Sequence, residues 1–124
     1  MEKNQYFYRA AVFSRKGQEV ALADINNPGV TTPLDEWLGV VFSLADGAHT
    51  LKELVEYLAG RYPGQPPVEL DRTIESVVER LCDGNLMKLS DTPVTLPYYL
   101  SVPIEEMDLE KAKRQIHEDG YTQH

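Results

Sequence analysis

Between Leu44 and Leu89 the chain reads Leu-Ala-Asp-Gly-x-x-Thr, then an amphipathic stretch ending Arg61-Tyr62-Pro63, then a longer one ending Asp83-Gly84-Asn85-Leu86-Met87. This segment constrains the fold most, because each break in it has a chemical cause. Gly47 offers the positive-φ residue that ends a helix. Thr50-Leu51-Lys52-Glu53 is a capping box, in which a hydroxyl and a carboxylate satisfy the first N–H groups of a new helix. Leu51, Leu54, Val55, Leu58 and Tyr62 give that helix one apolar face. Pro63-Gly64-Gln65-Pro66-Pro67 cannot continue it and must be a connection. A third helix begins near Val68, packs through Leu70, Ile74, Val77, Val78 and Leu81, and closes at Gly84. Leu86 to Leu89 follow as a short extended segment.

Upstream, Tyr6 to Phe13 is rich in aromatic and β-branched residues and reads as one strand. Ser14-Arg15-Lys16-Gly17-Gln18 contains a turn glycine, and Glu19 to Ile25 alternates as the return strand of a hairpin. Asn26-Asn27-Pro28-Gly29 stops that strand, and Val30-Thr31 supplies at most a very short third one. The first helix starts at Thr32-Pro33-Leu34-Asp35, with Thr32 as cap and Pro33 at the first helical position. It packs through Leu34, Trp37, Leu38, Val41, Phe42 and Ala45. Ser90-Asp91-Thr92-Pro93 is a turn or linker. Beyond it an amphipathic helix over Pro103–Asp119 has acids early and bases late, matching the helix dipole.

The expected architecture is therefore α+β: a winged-helix-like domain over residues 1–92, with an N-terminal antiparallel β-hairpin or three-stranded sheet plus three helices. A C-terminal extension over 93–124 adds one amphipathic helix. The 124 residues carry a net charge of −8 and one cysteine, Cys82, which excludes an internal disulfide and a cysteine-based zinc cage. The longest apolar run, Leu38 to Leu44, is too short to cross a bilayer, and no secretory signal opens the chain, so a cytoplasmic protein is the simplest expectation.

Winged helices either read DNA or dock peptides and proteins, and charge discriminates between the two. Residues 1–64 carry six basic and eight acidic groups, whereas residues 65–124 carry six and twelve. Glu69, Asp71, Glu75, Glu79 and Asp83 on the third helix face only Arg72 and Arg80, and the wing offers only Lys88. A recognition helix of that composition is repelled by phosphate. Nucleic acid and anionic membrane are thus disfavoured as partners, and the acidic helix favours a peptide carrying Lys or Arg.

No catalytic constellation emerges. The serines sit in no strand–turn–helix elbow, and His49, His117 and His124 are scattered without metal-ligand spacing. Cys82 ends an apolar stripe, as a structural cysteine does. No carboxylate pair has the spacing of acid–base work, so neither enzyme activity nor a cofactor nor a metal is expected. What remains is recognition through a sheet edge and the groove beside it.

Three groups of residues carry a family resemblance. Leu44-Ala45-Asp46-Gly47-Ala48-His49-Thr50 matches a Leu-x-Asp-Gly-x-x-Thr turn. Leu51-x-x-Leu-x-x-x-Leu-x-x-Arg-Tyr62 follows it, and Val77-Val78-x-x-Leu81-x-x-x-Asn85-Leu86-Met87 resembles a closing Leu-x-x-x-Gly-Leu-Leu. In these respects residues 6–89 resemble the pyrroloquinoline-quinone peptide chaperones (PqqD-like domains), also called RiPP recognition elements. The resemblance implies a non-catalytic adaptor that binds the leader of a ribosomally synthesised precursor peptide and presents it to a modifying enzyme, often a radical-SAM protein. It implies leader contacts from Val30, Thr31 and Thr32 on an edge strand and from Arg72, Thr73, Ser76, Val77 and Arg80 on the third helix. Thr31-Thr32-Pro33-Leu34-Asp35 departs from the family's Leu-Asn-Pro-x-Ala entry to the first helix. The tail beyond Val94 lies outside the pattern, with three roles open to it: covering the groove, contacting the partner enzyme, or mediating a homodimer. A winged-helix transcriptional regulator and a structural subunit of a larger complex are the alternative readings.

Overall fold

A computed structural model describes residues 2–120. It is a mixed α+β fold with two three-stranded antiparallel sheets and five helices among the described residues. The first sheet has the order β5-β1-β6, from Asp46–Thr50, Tyr6–Arg9 and Met87–Ser90. The second has the order β2-β3-β4, from Phe13–Lys16, Glu19–Asp24 and Asn27–Pro33. The helices are α1 (Glu36–Ser43), α2 (Leu51–Ala59), α3 (Leu70–Asp83), α4 (Tyr98–Ser101) and α5 (Leu109–Asp119).

The expected first strand is in fact two. Chain direction changes across Ala10–Val12, so that β1 joins one sheet and β2 the other. Phe7 and Arg9 point inward from β1, and Phe13 turns back into the same core. Phe13 meets Phe42 edge-to-face at 5.7 Å between ring centroids, a geometry that suits the ring quadrupoles. The hairpin is β2–β3, closed by Gly17-Gln18, with Gly17 at φ 63°. Glycine at the first central position accepts that conformation without a Cβ clash.

The second turn falls at Ile25-Asn26, earlier than expected, and β4 runs seven residues to Pro33 instead of two. Consequently Thr32 and Pro33 lie in a strand and not at a helix start. Asp35 caps α1 in their place, its carboxylate accepting the Leu38 N–H at 2.9 Å. The capping box of α2 is formed as expected: Glu53 N–H donates to Thr50 Oγ1 at 3.2 Å, and Thr50 N–H donates to Glu53 Oε1 at 3.0 Å.

Two glycine assignments need correction. Gly47 does not end α1, which closes at Ser43; it lies in β5 at φ 80°. Gly84 has an ordinary φ of −83°, and the left-handed residue after α3 is Asn85, at φ 60°. Asn85 N–H donates to Cys82 O and Leu86 N–H to Leu81 O, both at 3.0 Å, the paired bonds of a Schellman motif. Helix α3 begins at Leu70, leaving Val68 almost fully exposed.

The main core lies between α1, α2, α3 and one face of each sheet, filled by Phe7, Phe13, Val41, Phe42, Leu51, Ile74 and Leu81. A second core lies on the opposite face of β2–β3–β4. There Val12, Ala23 and Ile25 are buried against Tyr99, Leu100, Ile104 and Ala112 of the tail. The expected tail helix over Pro103–Asp119 is divided: a single 3-10 turn at Ile104–Glu106, then α5, capped by Asp108. The short helix α4 was not anticipated.

The tail is tied down by polar contacts as well. Arg9 is buried, and its guanidinium donates to Leu100 O at 2.9 Å, Ser43 O at 2.8 Å and Ser101 O at 3.4 Å while stacking on Phe13. Burial pushes its pKa down to about 10, with Asp46 opposing that shift, so it stays charged at neutral pH. On the outer side of β2, the Glu105 carboxylate accepts from Ser14 Oγ and from the Arg15 N–H, the latter at 2.9 Å. Val94 N–H donates to Gly47 O at 2.9 Å. The tail therefore closes the far face of the second sheet and the β2 edge.

Candidate functional site

With β2 covered, the free side of the second sheet is β4, exposed along its whole length and without a strand neighbour on its outer side among the described residues. Its main-chain orientation follows from two hydrogen bonds. Leu34 N–H donates to Val20 O at 3.1 Å, and Ala23 N–H donates to Val12 O at 3.0 Å. Even-numbered residues of β3 thus bond to β4 and odd-numbered ones to β2. In the register Ala21–Pro33, Leu22–Thr32, Ala23–Thr31, Thr32 turns its main-chain groups inward, and Thr31 and Pro33 turn theirs to the outer edge. Proline has no N–H. Over this paired stretch the edge offers one donor, Thr31 N–H, and two acceptors, the carbonyls of Thr31 and Pro33. Toward the turn, the register breaks between Ala23 and Asp24, and Pro28, Gly29 and Val30 bulge out of the ladder.

A depression lies beside this edge, and a second adjoins it. The first, of about 560 Å³, includes Thr31, Pro33, Leu34, Asp35 and Glu36 in its lining. The second, of about 490 Å³, lies between the start of α1 and α3; Arg72, Thr73, Ser76, Val77 and Arg80 form its α3 wall. The two meet at Asp35 and Glu36, which line both. The helical period explains the wall, since 72, 73, 76, 77 and 80 fall on one face of α3. Val77 is buried and serves as floor; Arg72, Ser76 and Arg80 are exposed.

All five residues expected on the third helix are therefore brought together, and Thr31 joins them through the shared lining. Val30 and Thr32 line neither depression, although Val30 is exposed. Sequence reasoning missed Asp35, Glu36, Trp37 and Glu69, which complete the groove. The signal was present in Asp35: a capping residue at a helix start opens that start to whatever packs beside it. No described residue of the tail lines either depression.

Charge in the groove differs from that of α3 as a whole. Of the five acids between Glu69 and Asp83, only Glu69 lines it; Asp71 pairs with Lys3 at 3.1 Å on another side. Arg80 lies 3.9 Å from Asp35, an exposed pair worth little by itself. With Asp35 and Glu36 from the start of α1, the groove lining holds three acids and two arginines.

Other chemistry-bearing residues are dispersed. No group of three His, Cys, Asp or Glu is placed to hold a metal ion among the described residues. His49 Nδ1 lies 3.2 Å from both Asp46 carboxylate oxygens, on the exposed side of β5. Burial pushes the Cys82 thiol up, and Asp83 adds to the shift, so the thiol stays protonated at neutral pH. His124 lies outside the described residues. No helix among the described residues is long and apolar enough to cross a membrane. Comparison with protein-family models, curated proteins and solved structures finds no match to the chain.

Proposed function

We propose that this protein is a non-catalytic peptide-binding adaptor with a winged-helix-like body. It holds the leader of a ribosomally synthesised precursor peptide as an added strand on β4 and presents the remainder to a separate modifying enzyme. The observation that carries this reading is that a depression lined by Thr31 and Pro33 of the exposed edge strand adjoins, through Asp35 and Glu36, a groove walled by Arg72, Thr73, Ser76, Val77 and Arg80. An edge supplies main-chain hydrogen bonds and a neighbouring groove supplies side-chain selectivity, the two components of strand-addition recognition. The sequence resemblance of residues 6–89 to leader-binding domains supports the same conclusion. Holding the leader keeps the remainder of the peptide at high effective concentration near the enzyme, and this requires no catalytic group in the adaptor.

The test is a titration of the isotopically labelled protein with the leader half of a precursor peptide encoded beside its gene. Saturable shifts at Thr31 and along the groove face of α3 are expected. Absence of binding at high micromolar peptide, or shifts confined to the tail, would overturn the proposal.

A further inference from the structure

We infer that a docked peptide adds to β4 in a single register, keyed by the Thr31 N–H and ended by Pro33, and sets a carboxylate against Arg72. The inference rests on the reading of β4 and the α3 groove as a peptide site. A regular edge repeats the same donor and acceptor every second residue, so an added strand can slip by two residues at little cost. This edge does not repeat. Pro33 lacks the donor that would follow Thr31, and the bulge at Pro28–Val30 interrupts the ladder on the other side. Sliding a peptide by two residues moves its accepting carbonyl from Thr31 N–H to a proline nitrogen and loses that bond. An antiparallel partner must offer two N–H donors two residues apart, to the carbonyls of Thr31 and Pro33, and one carbonyl, to Thr31.

The side-chain requirement follows from the charges that already have compensation. Asp35 accepts a main-chain N–H from Leu38 and faces Arg80. Glu36 sits in the first turn of α1 and Glu69 immediately before α3, where a helix stabilises acids. Arg72 lies in the first turn of α3, the end that disfavours a cation, and belongs to none of the ion pairs among the described residues. It is the groove charge left for an incoming carboxylate, which a guanidinium receives through two parallel hydrogen bonds.

Twelve-residue peptides selected from a random display library against the full chain provide the probe. We expect them to slow Thr31 amide exchange at least tenfold, and N-methylation at two peptide positions two residues apart to cost at least tenfold in affinity. We expect each to carry an Asp or Glu, whose replacement by Asn or Gln weakens binding about as much as Arg72→Gln does, the two losses not adding. Peptides whose shifts map to β4 and α3 but leave Thr31 unprotected, or ignore Arg72→Gln, would overturn this inference and leave the adaptor reading standing. Selection of no peptide, or of peptides mapping elsewhere, would overturn both.

Discussion

Val94 crosses Gly47 so closely that a Cβ on the glycine would stand 2.3 Å from the Val94 carbonyl oxygen. Gly47 also has φ 80°, so two independent constraints exclude a side chain there. We predict that Gly47→Ala destabilises the protein by at least about 2 kcal/mol. Urea unfolding checks this, with a matching loss of amide protection at Val94.

Arg9 gives the second prediction. Arg9→Met keeps much of the aliphatic volume but strands the carbonyls of Ser43, Leu100 and Ser101. A cost of about 2–3 kcal/mol is expected, because buried acceptors without donors forfeit their hydration. Arg9→Lys should recover only part of it, since an ammonium cannot span three acceptors as a planar fork does. Denaturation midpoints of the two variants decide the order.

At the end of α3 the contrast between neighbours is testable. Gly84→Ala should be neutral or stabilise by up to about 1 kcal/mol, because its φ is ordinary and a Cβ meets nothing closer than 3.5 Å. Asn85→Ala should cost about 1 kcal/mol, and Asn85→Gly should not. Thermal unfolding of the three variants would show the opposite pattern if Gly84 were the terminator.

Acid should loosen the tail. Partial burial pushes the Glu105 carboxyl up, but the bonds from Ser14 and Arg15 and the charge of Lys16 outweigh it and hold the pKa below the usual carboxylate range. A group depressed in the folded state stabilises fully above its unfolded pKa and loses that contribution as pH falls through its folded one. The Arg15 amide resonance should therefore titrate only below the ordinary carboxylate range, toward the position it has in Glu105→Gln, which should show no such transition.

Helices α2 and α3 were legible because their signals are local. The capping box at Thr50 and the apolar period of α3 lie within a few residues of the structure they specify. The groove wall was named through the resemblance of residues 6–89 and not from spacing; the helical period accounts only for why Arg72, Thr73, Ser76, Val77 and Arg80 share one face of α3. What was not legible depends on distant partners. Gly47 resembles a helix stop, and only the approach of Val94 reveals why a glycine stands there. Tyr6–Phe13 is rich in aromatic and β-branched residues throughout and reads as one strand, but β1 and β2 on either side of Ala10–Val12 belong to different sheets. The length of β4 was hidden by Pro28, Gly29 and Pro33, residues that weaken a strand in isolation but are tolerated at an edge. Asp35 and Glu36 join the site because a cap must sit at a helix start, a link visible only once the start is placed correctly.

Arg9 grips the tail through main-chain oxygens at Leu100 and Ser101. Every residue type presents the same carbonyl, so this clasp is blind to the letters of the segment it holds. Substitutions at 100 and 101 are filtered by the second core and not by the clasp. Chains descended from this one could exchange much of the tail's surface wording, and with it whatever that surface meets, while the attachment point stays where it is.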